Sequence, residues 1–251
     1  MRLRTLAAGC LAALSLGTAT TAASATSTAP SAAVTKDPVI IVNGLTSPDI
    51  AQWPFALRLT ADGYDATIFS LPGGGLQDIA KTAQALSPVV DQVLARTGAS
   101  KVDLVGHSEG GVVARYYIKR LGGAAKVDSF VSLAGPQYGT YAGNLADFFG
   151  IDAFCQACEQ MAIGSTFLTD LNAGPDVPAG VATTTFRTIY DLAVRPVDNA
   201  KLQDGATNVL VQDQCWFNTV GHSDLSVNGA VYTGIRQALR HEAIDLNCWA
   251  L

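Results

Sequence analysis

The chain has 251 residues, 49% of them hydrophobic and 15% charged, with a formal net charge of −5. Half its residues being apolar, it can offset its ordering entropy by burial, which excludes a disordered protein. Being acidic, it lacks the basic footprint of a nucleic-acid binder, and its length suits one α/β domain with a sizeable core.

In chain order, the first element reads as a targeting segment. Arg2 and Arg4 form a cationic start, residues 6–16 an apolar run, and Ala23-Ser24-Ala25 a small-x-small cleavage site, so residues 1–25 are expected to be a secretory signal. A rival lipoprotein-type box at Ala8-Gly9-Cys10 would leave an apolar run of only about five residues. The run is shorter than the roughly 20 residues that span a bilayer. Later apolar runs are broken by charge, Gly or Pro, so no transmembrane segment is expected. Residues 26–36, rich in Ala, Ser, Thr and Pro, show no core pattern and are expected to be disordered; residues 37–251 are expected to form a single domain.

Residues 38–42 form a continuous β-branched run, the pattern of a strand buried on both faces. A helical pattern then opens at Ser47-Pro48, runs through Trp53 and Leu57, and stops at Gly63. Residues 66–71 read as a strand. Asp78 can cap a helix with Ile79, Ala83 and Leu86 on one face, Pro88 as a kink or restart, and Gly98 as its end. After a strand at 102–105, the next helix sets Val112, Val113, Tyr116 and Tyr117 on one side and Arg115, Lys119 and Arg120 on the other. Further strands are expected at 127–133, 183–190 and 208–211, and a last helix from 233 to 246. Repeated strand–helix–strand order implies an α/β fold, a mainly parallel central sheet with helices on both faces.

Gly106-His107-Ser108-Glu109-Gly110 joins the strand ending at Val105 to an amphipathic helix. That is the strand–turn–helix setting of a nucleophile elbow, where a tight turn presents a serine hydroxyl and glycines allow strand and helix to approach. A serine needs a base at neutral pH, so a histidine must serve it. Of the three, His107 lies in the turn itself and is expected to point elsewhere. His222 follows a late strand and loop, and His241 falls in the last helical stretch on a solvated face; His222 is the favoured base, with His241 as the alternative. The third member should be a carboxylate after a strand lying between Ser108 and His222. Asp191, at the strand's end, and Asp198, seven residues on, are the candidates, with Asp191 preferred. Two backbone N–H groups should hold an oxyanion: that of Glu109, and that of Leu45 in the loop Asn43-Gly44-Leu45 after the first strand. The Glu109 side chain can serve the helix N-terminus, and as a charge it is expected to help repel an anionic product.

In an oxidising compartment, Cys155, Cys158, Cys215 and Cys248 suggest two disulfides, with proximity favouring Cys155–Cys158 and Cys215–Cys248. The single C-x-x-C has no histidine near it, so no metal is expected. Gly73-Gly74-Gly75 lacks the Lys-Ser/Thr that would make a phosphate loop. Leu145, Phe148, Phe149, Ile151 and Phe154 form an apolar cluster, readable as a half-exposed acyl-binding face or as ordinary core.

The run of residues 102–123, with Gly106-His107-Ser108-Glu109-Gly110, Tyr116, Tyr117 and Leu121-Gly122-Gly123, resembles secreted actinobacterial class 2 lipases and, more distantly, lipase B of Candida antarctica. The likeness extends over residues 38–248 and takes in Leu71-Pro72-Gly73-Gly74-Gly75, Leu133-Ala134-Gly135-Pro136, Cys158-Glu159-Gln160-Met161, Tyr190-Asp191 and Gly221-His222. It implies an α/β-hydrolase fold with a small cap segment at residues 145–154, and it assigns Ser108 as nucleophile, Asp191 as orienter and His222 as base. Where many lipases carry His-Gly in the oxyanion loop, this chain has Asn43-Gly44, so that loop must be held differently. The activity implied is hydrolysis of carboxylic esters, triacylglycerols among them, by a secreted monomer without a cofactor, acting on ester or lipid substrate at a lipid–water interface. A short-chain carboxylesterase or an acyltransferase would use the same three residues. Product analysis and acyl-length profiles would separate them.

Overall fold

Val39-Ile40-Ile41-Val42 forms strand β1 (Val39–Val42), with every side chain at most 1% exposed. A strand so buried needs a layer on each face, and alternate residues supply both. Ile40 and Val42 enter one apolar cluster; Val39 and Ile41 enter the other. The computed structural model describes residues 36–141, 143–151 and 154–251. The expected signal at 1–25 and the stretch to residue 35 lie outside the described residues. Lys36, expected at the end of the disordered stretch, instead sets its ammonium 4.5 Å from the centre of the Tyr64 ring.

β1 is joined by β2 (Ala66–Phe69), β3 (Val102–His107), β4 (Val127–Leu133), β5 (Ala182–Arg187) and β6 (Thr207–Leu210). All pairings are parallel, in the order β2-β1-β3-β4-β5-β6, with Ile41 opposite Ile68 on one side and Val105 on the other. The helices are α1 (Trp53–Ala61), α2 (Ile79–Thr97), α3 (Glu109–Arg120), the short α4 (Asn144–Phe149), α5 (Gln156–Gln160) and α6 (Thr166–Leu171), then α7 (Val211–Gln214) and α8 (Gly229–Ala238). On one face of the sheet, α2 contributes Ile79, Ala83, Leu86, Val90 and Val93, and α3 contributes Val112, Val113 and Tyr117. On the other, α1 contributes Phe55 and Leu59, and α8 Val231 and Ile235.

Local chemistry explains most boundaries. The Asp78 carboxylate accepts from Lys81 N–H at 3.0 Å and starts α2; Gly98, at φ 72°, ends it while donating to Leu94 O. Pro88 does not interrupt the helix, because it lies on the exposed side together with Gln84, whose carbonyl it leaves without a donor. Arg115, on the side of α3 opposite Val112 and Val113, is 1% exposed, paired with the buried Asp176 and hydrogen-bonded to Asn172 Oδ1 at 2.6 Å. Two expectations are corrected. β5 ends at Arg187 rather than 190, since Thr188 Oγ1 turns the chain by taking the Tyr190 N–H. The last helix begins at Gly229, capped by Asn228, and ends at Ala238, so His241 is not helical; it is exposed and bonded to Asp128.

β1 lies between β2 and β3, and the chain reaches them by crossovers on opposite faces. The order of strands therefore reverses beside β1, and a crevice opens where the loops after β1 and β3 diverge. Among the described residues no helix is long and apolar enough to cross a membrane.

Candidate active site

β3 ends at His107 and α3 begins at Glu109, so Ser108 alone makes the turn, at φ 54° and ψ −126°. A non-glycine residue at such a φ is strained and needs its surroundings to hold it. Ser108 N–H donates to Leu133 O at 2.8 Å, and Gly111 N–H to Ser108 O at 3.0 Å. The flanking glycines are steric necessities. A Cβ on Gly106 would lie 2.5 Å from Gly110 O, and one on Gly110 would fall on the carbonyl oxygens of Val42 and Asn43.

His222, in the loop between α7 and α8, places Nε2 2.9 Å from Ser108 Oγ, and its Nδ1 lies 2.9 Å from Asp191 Oδ2. All three residues are at most 2% exposed. Asp191 sits in the turn after β5, and that turn aims it: Oδ1 accepts the N–H groups of Ala193 and Val194, both at 2.8 Å, leaving Oδ2 for the imidazole. Thr188 Oγ1 donates to Val220 O at 2.8 Å and ties the Asp191 turn to the His222 loop. No sequence signal marked that residue. The alternatives lie apart: the Asp198 side chain is 61% exposed and pairs with Arg187 and Lys201, while His241 pairs with Asp128.

His107 does not point away. Its Nε2 is 2.9 Å from the His222 carbonyl, and its ring centre 5.1 Å from that of His222. A carbonyl only accepts, so Nε2 carries the proton. Burial, reinforced by the neighbouring imidazole, lowers the pKa of His107 to about 4 and keeps it neutral.

Among the described residues, the Leu45 and Glu109 N–H groups have no hydrogen-bond acceptor. Gly44 passes so close to the serine that a Cβ there would be 3.0 Å from Ser108 Cβ. Asn43 is fully buried and its amide reaches Ser47 O at 3.4 Å and Asp49 Oδ1 at 3.3 Å. Thr46 N–H donates to Gly74 O at 2.8 Å, so the Gly73-Gly74-Gly75 loop braces the loop after β1. The Glu109 side chain overturns the expectation of a product-repelling charge. It is fully buried, neither oxygen has a hydrogen-bond partner, and it lies against Gly75, where a Cβ would collide with it. Desolvation raises its pKa well above the ordinary carboxylate value and so disfavours the charged form.

The apolar cluster divides. Phe148 and Phe149 of α4 set their rings edge-on to His222, at 5.6 and 6.1 Å between centres, and cover the site. Ile151 packs partly buried against the core with Leu145. Phe154 is 74% exposed and lines a separate depression beside the Cys155–Cys158 disulfide. The second disulfide, Cys215–Cys248, fastens the chain's end to the start of the loop that carries His222. At the opposite end of the sheet, ligand atoms of Asp37, Asp103 and Asp128 lie within 4.8 Å of one another. Lys101, at 3.2 Å, supplies countercharge to Asp128, and His241 Nε2 lies 2.6 Å from the same carboxylate.

The family model for Lipase (class 2) matches residues 36–231. The chain belongs to the class 2 lipase family. Over 91 residues the chain is 34% identical to a triacylglycerol lipase of Pseudarthrobacter phenanthrenivorans, covering 34% of this chain and 28% of that one. It is also 34% identical over 91 residues to a triacylglycerol lipase of Burkholderia plantarii, covering 34% and 25%. The match thus spans about a quarter of the length of these curated relatives. Aspergillus fumigatus lipase B superposes with a TM-score of 0.70 at 20% identity, over 83% of this chain and 53% of that one. The propeptide form of a Bacillus licheniformis lipase gives 0.64 at 20% identity, over 87% and 53%. The chain has the α/β-hydrolase fold.

Proposed function

We propose that this class 2 lipase is a serine hydrolase that cleaves carboxylic esters, triacylglycerols among them, through an acyl-enzyme on Ser108. The observation that carries the reading is the continuous line of hydrogen bonds from Ser108 Oγ through His222 to Asp191, 2.9 Å at each step. Ser108 Oγ attacks the ester carbonyl while His222 Nε2 takes its proton, and Asp191 holds the imidazole in the tautomer that leaves Nε2 bare. The oxyanion is received by the Leu45 and Glu109 N–H groups, each worth roughly 10²–10³ in rate. His222 returns its proton to the departing alcohol, and water repeats the sequence to release the acid. Neither a metal nor a cofactor enters these steps.

Phe148 and Phe149 over His222 favour an acyl-chain contact there, whereas Ile151 and Phe154 have no such position relative to the site. Export by the segment 1–25, and action as a monomer at a lipid–water interface, belong to the same proposal. Two disulfides in the structure agree with an oxidising compartment. The test is fluorophosphonate labelling of Ser108 together with rates on p-nitrophenyl esters of rising acyl length, with and without an emulsion. An adduct on Ser108 and hydrolysis that strengthens at the interface are expected. No adduct would refute the acyl-enzyme, and a short-chain preference with no interfacial response would make the protein an esterase.

A further inference from the structure

The loop that carries His222 has little backbone structure of its own. Among the described residues, no backbone–backbone hydrogen bond involves residues 219–223. Thr219, Ser223 and Asp224 around the histidine are exposed, while His222 itself is buried. A surface loop without internal hydrogen bonds is mobile by default, whereas a proton-transferring base must be held to a fraction of an ångström.

Side chains from three other parts of the chain hold the loop, and they take alternate carbonyls along it. Gln212 Nε2 in α7 donates to Asn218 O at 2.8 Å, Thr188 Oγ1 to Val220 O at 2.8 Å, and His107 Nε2 to His222 O at 2.9 Å. Thr188 is fully buried and His107 is 6% exposed. Two of these side chains also hold the turn that carries Asp191. Thr188 Oγ1 accepts Tyr190 N–H at 3.2 Å and Gln212 Nε2 at 3.0 Å, and Gln212 Oε1 accepts Ile189 N–H at 3.0 Å. His107 ends the strand that leads straight into Ser108, so its bond fixes the base relative to the nucleophile. Thr188 follows the strand that leads to Asp191, so its bond fixes the base relative to the acid.

We propose that His107 and Thr188 are positioning residues for ester hydrolysis, holding the His222 imidazole between Ser108 Oγ and Asp191 Oδ2 through the carbonyls of its own loop. Neither hydrogen-bonds to a side chain of the three, so each acts through the backbone. Removing either donor leaves the three residues in place and loosens their geometry, and a misplacement of about 1 Å costs about 10²-fold in rate. The loss falls on proton transfer rather than on substrate binding, hence on kcat rather than KM. This inference rests on the serine-hydrolase reading and adds to it two residues outside the catalytic three.

The experiment uses pairs of variants alike in shape that differ in the donor: His107→Gln against His107→Met, and Thr188→Ser against Thr188→Val. Glutamine Nε2 stands the same number of bonds from Cα as histidine Nε2 and can donate from that place; methionine fills the space without a donor. For each, kcat and KM are measured on p-nitrophenyl butyrate, with the rate of fluorophosphonate labelling of Ser108 and a thermal melt. His107→Met and Thr188→Val are expected to lose about tenfold or more in kcat and in labelling rate, with KM within about twofold of wild type. His107→Gln and Thr188→Ser are expected to recover most of that loss. A folded His107→Met equal to His107→Gln in kcat, or a folded Thr188→Val equal to Thr188→Ser, overturns the role of that residue. Failure of both donorless variants to fold makes the two side chains supports of the fold and overturns the proposal as well. Wild-type turnover with unaffected variants removes only this inference. Absence of wild-type turnover on every ester, with no adduct on Ser108, removes the hydrolase reading and this inference with it.

Discussion

Replacing Asp191 by Asn tests the reading at its most constrained atom. Oδ1 of Asp191 accepts two backbone N–H groups, from Ala193 and Val194, each at 2.8 Å. In an amide only the oxygen can keep that position, so the NH₂ must replace Oδ2, 2.9 Å from His222 Nδ1. An NH₂ donates; Nδ1 must then present its lone pair, and the ring proton moves to Nε2, facing Ser108 Oγ. The base then carries its proton on the nitrogen that should take the serine's. The expected loss in kcat/KM is about 10³–10⁴-fold, or about 4–5.5 kcal/mol of transition-state stabilisation. The turn keeps both of its hydrogen bonds, so stability should change by less than about 1 kcal/mol. Asp191→Ala would instead strand two buried N–H groups, at about 1–3 kcal/mol each. The assay is hydrolysis of p-nitrophenyl butyrate at neutral pH with a parallel thermal melt, and Asp198→Asn as the exposed control. A loss below about tenfold in Asp191→Asn, or an equal loss in Asp198→Asn, would refute the assignment.

Other consequences follow from burial and connectivity. Burial raises the Glu109 pKa above its ordinary 4.5, so the stability linked to its proton is full below the unfolded value and is lost as pH rises through the folded one. Glu109→Gln, permanently neutral, should gain in melting temperature over the wild type as pH increases and leave butyrate inhibition unchanged; a relative loss at alkaline pH would show the carboxylate ionised in place. Asp103, 2% exposed and pushed up to about 8 chiefly by burial, obeys the same sign, so Asp103→Asn should stabilise more at pH of about 8 than at about 4, measured by denaturant titration. Cys215 and Cys248 are separated by 33 residues and Cys155 and Cys158 by 3, so loop entropy assigns about 3.7 and about 1.6 kcal/mol to the two disulfides. Paired Cys-to-Ser variants should show that order in denaturant midpoints, and equal losses would contradict it.

The features legible in the sequence are those set by neighbours along the chain or by a repeating pattern. Alternating and continuous apolar runs marked the strands because a parallel sheet with helices on both faces buries every position of β1. The spacing of Gly106, Ser108 and Gly110 is legible because strand, turn and helix approach within atomic contact there. The short turn type after β5 was not marked in the same way. Its strand pattern runs on to residue 190, but Thr188 bends the chain at Arg187 and sets Asp191 into a buried turn.

What the chain alone could not determine was the partner of each charged group. Arg115 occupies the helical position of a surface cation, and only the fold brings it to Asp176, 61 residues on. Two aspartates followed β5 in the chain; burial and the Ala193 and Val194 N–H groups separate Asp191 from the exposed Asp198. Glu109 reads as a charge beside the nucleophile until its side chain is seen enclosed against Gly75. Local sterics and periodicity are written in the order of residues, so class, strand order of appearance and the serine turn could be read from it. Ionisation, hydrogen-bond pairing and cavity walls depend on atoms far apart in that order, and these only the tertiary structure decided.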